Sequence, residues 1–62
     1  MSVGEKVRAL REALGLRQQE LAERMGIGQS AVSDLERGRC SPTVTTLERV
    51  AQALGCAVRD LL

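Results

Sequence analysis

The chain contains no histidine and no aromatic residue of any kind. Without histidine, and with Cys40 and Cys56 as the only thiols, no three- or four-ligand zinc set can be assembled from the ordinary nitrogen and sulfur donors. Without aromatics, any core must be aliphatic. The two cysteines form neither a CxxC pair nor the dense disulfide framework of a small secreted domain, so both read as reduced thiols in a cytosolic setting. No stretch approaches the roughly 18 apolar residues of a membrane span. Glu5 and Lys6 stand where a signal peptide needs an apolar run. Excess charge is missing too: nine Lys and Arg against eight Asp and Glu leave a formal +1, so only the distribution of charge can point to an anionic partner. Ser30 and Ser33 have no histidine or lysine beside them, and no phosphate-binding glycine loop occurs. The chain offers no catalytic constellation, and neither cofactor nor metal is expected.

What is present is 44% hydrophobic and 27% charged, the composition of a globular chain. At 62 residues it makes one domain, 1–62. Surface scaling for this mass gives roughly 3,900 Å² folded against about 9,700 Å² extended, a thin margin that demands dense packing or a partner. Glycines 15, 26, 38 and 55 each follow a stretch with helical apolar spacing, where glycines that end helices sit. Pro42 lies in the one segment dense in Ser and Thr. These marks predict an all-α, compact domain of five short helices.

The first covers residues 3–14: Ser2 and Glu5 have capping-box spacing, and Val7, Leu10 and Leu14 form one apolar face. The second covers 18–25, with Leu21, Ala22 and Met25 inward. The third, 29–36, turns Val32 and Leu35 to the core and leaves Gln29, Ser30, Ser33 and Asp34 outward. Thr43 or Thr45 caps the fourth, whose stripe is Leu47, Val50, Ala51 and Leu54. Val58, Leu61 and Leu62 close a last turn over the core.

Only Gly26, Ile27 and Gly28 join the second helix to the third, a helix-turn-helix connection that leaves the third as a protruding ridge. Its outer side chains are short or flexible hydrogen-bonding groups, able to approach base edges in a major groove. At this point the stretch "LRQQELAERMGIGQSAVSDLERGRCSPTVTTLERVAQALG" resembles the lambda-repressor-like, Cro/C1-type (XRE) helix-turn-helix family. The matching features are Leu16, Gln18, Glu20, Leu21 and Ala22; Gly26 and Ile27; Val32, Ser33, Glu36 and Gly38; then Pro42, Thr46, Leu47, Ala51, Leu54 and Gly55. Two positions depart from it. The family commonly has Thr or Ser before the second and third helices, and here Arg17 and Gly28 stand there. Glycine is an acceptable cap, whereas arginine puts a cation at the positive helix end, which suggests a phosphate partner for Arg17.

The resemblance implies a sequence-specific, double-stranded DNA-binding transcriptional regulator, a repressor or autoregulator, bacterial or phage-encoded and cytoplasmic, acting as a homodimer on a palindromic operator. It implies base contacts from Gln29 and Ser30, for which the alternative is a simply solvated first turn. Gln29 has the geometry for adenine N6 and N7. Ser33 and Asp34 are further base-contacting candidates; Asp34 either reads a base, directly or bridged to Arg, or is a tolerated surface acid. Gln18 implies a phosphate contact and a brace for Gln29. Arg37, Arg39 and the 38–43 loop would anchor the backbone, with Arg17, Arg8 and Lys6 outside them. Arg11 and Glu36 imply a buried structural ion pair.

Val44, Val58 and Leu62 are candidates for pairing two copies, or are ordinary core and scattered surface residues. Cys40 either crosslinks near a two-fold axis or is merely exposed, and Cys56 reads as a small buried hydrophobe. The competing class is a protein-binding module, an antitoxin or adaptor whose partner is a toxin or other protein. An arm for such a partner is expected in that case, and the sequence runs to Leu62 without one, favouring DNA.

Overall fold

A computed structural model describes residues 2–62. Four α-helices follow one another: α1 (Val3–Ala13), α2 (Gln18–Met25), α3 (Gln29–Arg37) and α4 (Val44–Leu54), closed by a 3₁₀ turn, Val58–Leu61. The expected fifth helix is this 3₁₀ turn. The four residues of the turn are too few to establish an α-helical ladder, and Asp60 Oδ2 accepts from the Ala57 amide at 3.0 Å to fix its start.

Helix starts follow local chemistry. Ser2 Oγ accepts from the Glu5 amide at 3.2 Å while Glu5 Oε1 accepts from the Ser2 amide at 3.4 Å, completing the capping box. Thr43, rather than Thr45, caps α4, its Oγ1 accepting from the Thr46 amide at 3.1 Å. Arg17 precedes α2 without a side-chain cap, and only half a box forms there, Glu20 Oε1 accepting from the Arg17 amide at 3.0 Å.

Helix ends share one device. Gly26 and Gly38 hold φ of 69° and 74°, a left-handed turn open to a residue without Cβ. At α2 the Ile27 amide donates to Ala22 O (3.0 Å) and Gly26 to Glu23 O (3.2 Å); at α3 the Arg39 amide donates to Asp34 O (2.9 Å) and Gly38 to Leu35 O (3.2 Å). Both are Schellman motifs. The same long bond recurs at Leu16 to Arg11 O (3.1 Å) and Cys56 to Ala51 O (2.9 Å). In three of the four motifs the residue folded back, Leu16, Ile27 or Cys56, packs against the core. In α3 it is the exposed Arg39.

The core is aliphatic apart from a thioether: Val7, Leu21, Ala22, Met25, Val32, Leu35, Leu47, Val50, Ala51, Leu54 and Leu61. The remaining surface, 4000 Å², agrees with the roughly 3,900 Å² that scaling gives. Three apolar expectations change. The buried face of α1 is Gly4, Val7 and Arg11, with Leu10 half-buried, while Leu14 is 54% exposed because α1 stops at Ala13 and the chain turns away at Gly15. Leu61 alone seals the last turn completely; Val58 is half-buried and Leu62 faces solvent. Cys56 is half-buried rather than enclosed.

Gly4 sets how closely α1 approaches α3. A Cβ there would lie 2.5 Å from Leu35 O and 2.7 Å from Glu36 O, inside any tolerable contact with rigid backbone. Two arginines bind α2 and α4 reciprocally: Arg24 Nη1 donates to Ala53 O (3.2 Å), and Arg49 Nη2 donates to Met25 O (2.5 Å). Each places a cation on the negative end of the other's helix.

Candidate nucleic-acid interface

The protruding ridge is built from α3. Val32 and Leu35 are buried by the core, and the helical period then sends Gln29 and Ser30 into solvent at its first turn. Ser33 and Asp34, one turn further on and stacked over them, are half-buried. All four predicted base-reading side chains therefore share one outward surface, free of bulk.

What holds this ridge in place is the far end of α3. Glu36, 8% exposed, accepts from Arg11 Nε at 2.7 Å and from Arg11 Nη2 at 3.1 Å, a bidentate pair across α1 and α3. Arg11 Nη1 reaches on to Leu16 O at 2.6 Å, and Gln18 Nε2 donates to Glu36 Oε1 at 3.1 Å. Helices α1, α2 and α3 and the α1–α2 loop are thus tied at one point, and no buried side-chain polar atom among the described residues lacks a partner. The carboxylate raises the Arg11 pKa through its hydrogen bonds, outweighing the opposing effect of burial, so the guanidinium stays charged. Gln18 spends its amide on Glu36, at the opposite end of α3 from Gln29, so the bracing expected of it runs to the ion pair.

The cations sort by what already occupies them. Arg11 is buried, Arg24 and Arg49 sit on carbonyls, Lys6 reaches the Leu62 carbonyl, and Arg8 lies 3.7 Å from Glu12 on exposed α1. Arg39 approaches Asp34 at 4.0 Å. Among the described residues, the exposed side chains of Arg17, Arg37 and Arg59 make no hydrogen bond or ion pair, Arg59 lying on the closing 3₁₀ turn. Arg37 is the last residue of α3, and Arg17 precedes Gln18, whose side chain reaches Glu36 near that end. A chain of nearly zero net charge consequently presents free positive charge beside its small polar face.

Reasoning from sequence passed over two groups that shape this face. Gly4 permits the close α1–α3 approach, and its only sequence signal was a glycine inside a helix, where alanine would be favoured by about 1 kcal/mol. Arg24 and Arg49 had no signal, since an arginine donating to a distant carbonyl follows no period. Among pairing candidates, Val44 (67%) and Leu62 (64%) are exposed while Val58 packs on the core; Cys40 is exposed in the α3–α4 loop.

A short-turn helix pair with a polar, outward second helix and free arginines at its end defines a helix-turn-helix DNA-binding domain. The helix-turn-helix family profile matches residues 7–61, and the chain belongs to that family, in its lambda-repressor-like, Cro/C1 (XRE) branch. It is 43% identical over 62 residues to the immunity repressor protein of Bacillus phage phi105, an alignment covering all of this chain and 43% of that protein. The P22 c2 repressor, solved in complex with a synthetic operator, superposes with a TM-score of 0.90 at 34% identity, covering 100% of this chain and 94% of that one. The restriction-modification controller protein C.AhdI from Aeromonas hydrophila gives 0.92 at 35% identity, over 97% of this chain and 91% of that one. This chain therefore spans less than half the length of the phage immunity repressor. The family consists of DNA-binding transcription regulators, which are not enzymes. Among the described residues no helix is long and apolar enough to cross a membrane.

Proposed function

We propose that this chain regulates transcription by sequence-specific binding to double-stranded DNA, with α3 lying in the major groove and two copies occupying a palindromic operator in a bacterial or phage-infected cytoplasm. The observation that carries this reading is the ridge itself. Four small or flexible polar residues point outward from a helix whose other face is locked by the Arg11–Glu36–Gln18 cluster. Gln29 and Ser30 enter first and read bases, Gln29 with the donor–acceptor geometry for adenine; Ser33 and Asp34 contact the next base pairs. Arg17, Arg37 and Arg39 anchor to phosphates, joined by the second amide hydrogen of Gln18 and, at the margin, by Arg8. Repression or autoregulation follows from occupying an operator. Exposed Val44 and Leu62 supply apolar surface for a symmetric partner copy.

Selection of bound duplexes from a random library at two salt concentrations tests the reading. The expected product is a palindrome with half-sites roughly 10 base pairs apart, whose affinity falls steeply with salt. Absence of any enriched sequence at low salt overturns it, and would direct attention to a toxin or other protein as the physiological target.

A further inference from the structure

The Schellman turn that ends α3 departs from its three counterparts. Where the others fold Leu16, Ile27 and Cys56 onto the core, this one folds back a charged residue that stays in solvent. The Arg39 amide is bound to Asp34 O at 2.9 Å, and the Arg39 Nη1 and Asp34 Oδ1 atoms lie 4.0 Å apart with side chains 66% and 49% exposed. Such an exposed pair contributes little to folding. Its location is informative instead, because Asp34 stands one helical turn beyond Ser30 on the outward face.

We infer that Asp34 and Arg39 act as one coupled base reader, selecting cytosine at one base pair of each half-site. This rests on the DNA-binding reading above. An ionised carboxylate only accepts hydrogen bonds, so the groups it can seek in the major groove are the amino groups of cytosine and adenine. Adenine presents its amino group beside the N7 acceptor, which repels a carboxylate; cytosine N4 has no such neighbour on its own base. An isolated carboxylate would also be repelled by the phosphates flanking the groove. Arg39 removes that obstacle: one nitrogen lies within ion-pair range of the carboxylate and offsets its charge, and the remaining donors of its planar fork are free for a phosphate. Arg39 is thus a positioning residue for Asp34 as well as an anchor, and Gly38 is what returns it to Asp34.

The test uses the operator selected from the random library, with each of the four base pairs placed in turn at every half-site position. Dissociation constants are measured for the wild type, Asp34→Asn, Arg39→Gln and the double variant, after melting followed by circular dichroism confirms that these exposed substitutions leave the fold intact. Wild type is expected to favour cytosine at one position by roughly ten-fold or more. Asp34→Asn moves that preference to adenine, whose N6 and N7 suit an amide. Arg39→Gln lowers both overall affinity and the cytosine preference, whereas in the Asp34→Asn background it weakens all four base pairs by one common factor. The inference is overturned if Asp34→Asn leaves the preference unchanged, or if Arg39→Gln alone weakens all four equally. Should no operator be enriched at all, the DNA-binding reading fails first and takes this one with it.

Discussion

Replacing Arg11 by Met removes the guanidinium and leaves Glu36 buried with one hydrogen bond, from Gln18, where it had three. Breaking a buried pair in this way costs about 3–5 kcal/mol, whereas the whole domain at 62 residues holds roughly 3–9 kcal/mol. With a urea slope of about 1 kcal/mol per molar for so small a protein, the midpoint should fall by roughly 3–5 M, to the edge of unfolding in buffer. The chain has no tryptophan or tyrosine to report on unfolding, so helical circular dichroism is the natural probe. The double variant Arg11→Met/Glu36→Leu supplies the control. It removes both charges together, fills the space with apolar side chains, and is expected to lie near wild type or above it. A single-variant loss below about 1 kcal/mol would place the pair among surface bridges and refute the reasoning. So would a double variant as unstable as Arg11→Met, because the penalty would then come from packing rather than from an orphaned charge.

Arg17→Ser should separate stability from binding: a serine cap adds about 1 kcal/mol to folding, while loss of one phosphate contact makes the log–log salt slope of DNA binding shallower by about 0.9. An unchanged slope would remove Arg17 from the interface. Gly4→Ala should destabilise by about 1–3 kcal/mol despite the better helix propensity of alanine, because its Cβ meets the Leu35 and Glu36 carbonyls; a more stable variant in thermal melts would contradict this contact. Burial and the neighbouring Asp60 push the Cys56 thiol above its ordinary pKa, so exposed Cys40 should be alkylated first in the native protein. Because the folded state holds that proton more tightly than the unfolded chain, Cys56 contributes full stability below the ordinary thiol pKa and loses it as pH rises from there through the raised folded pKa. Equal alkylation rates for the two cysteines in peptide mass maps would show that Cys56 is not shielded.

Helices α2 and α3 were readable to within one residue, because the apolar period and the closing glycines agreed there even though neither helix has a side-chain cap. Reading failed where the buried face was not made of apolar residues. The inward stripe of α1 is a glycine, a valine and an arginine, and hydropathy therefore chose Leu14, which lies past the end of the helix. Glu36 was placed with Arg11 only through the family resemblance, since two residues 25 apart carry no local signal of contact. The site was legible as a surface, from the spacing of Gln29, Ser30, Ser33 and Asp34 on a helix. Which arginines remain free beside it was not, because that depends on carbonyls at the ends of other helices.

The first turn of α3 has a further consequence for how such a domain changes. Gln29 and Ser30 are exposed, and no hydrogen bond or ion pair among the described residues uses their side chains, so replacing them leaves the core and the Arg11–Glu36 lock untouched. Surface substitutions of this kind usually shift folding free energy by no more than about 0.5 kcal/mol. On the proposed reading, in which Gln29 and Ser30 contact bases, operator preference can therefore drift by single substitutions through foldable intermediates, with no compensating change elsewhere. Glu36 has no such latitude. On that reading the first and last turns of α3 evolve under different constraints, one set by the DNA and the other by the fold.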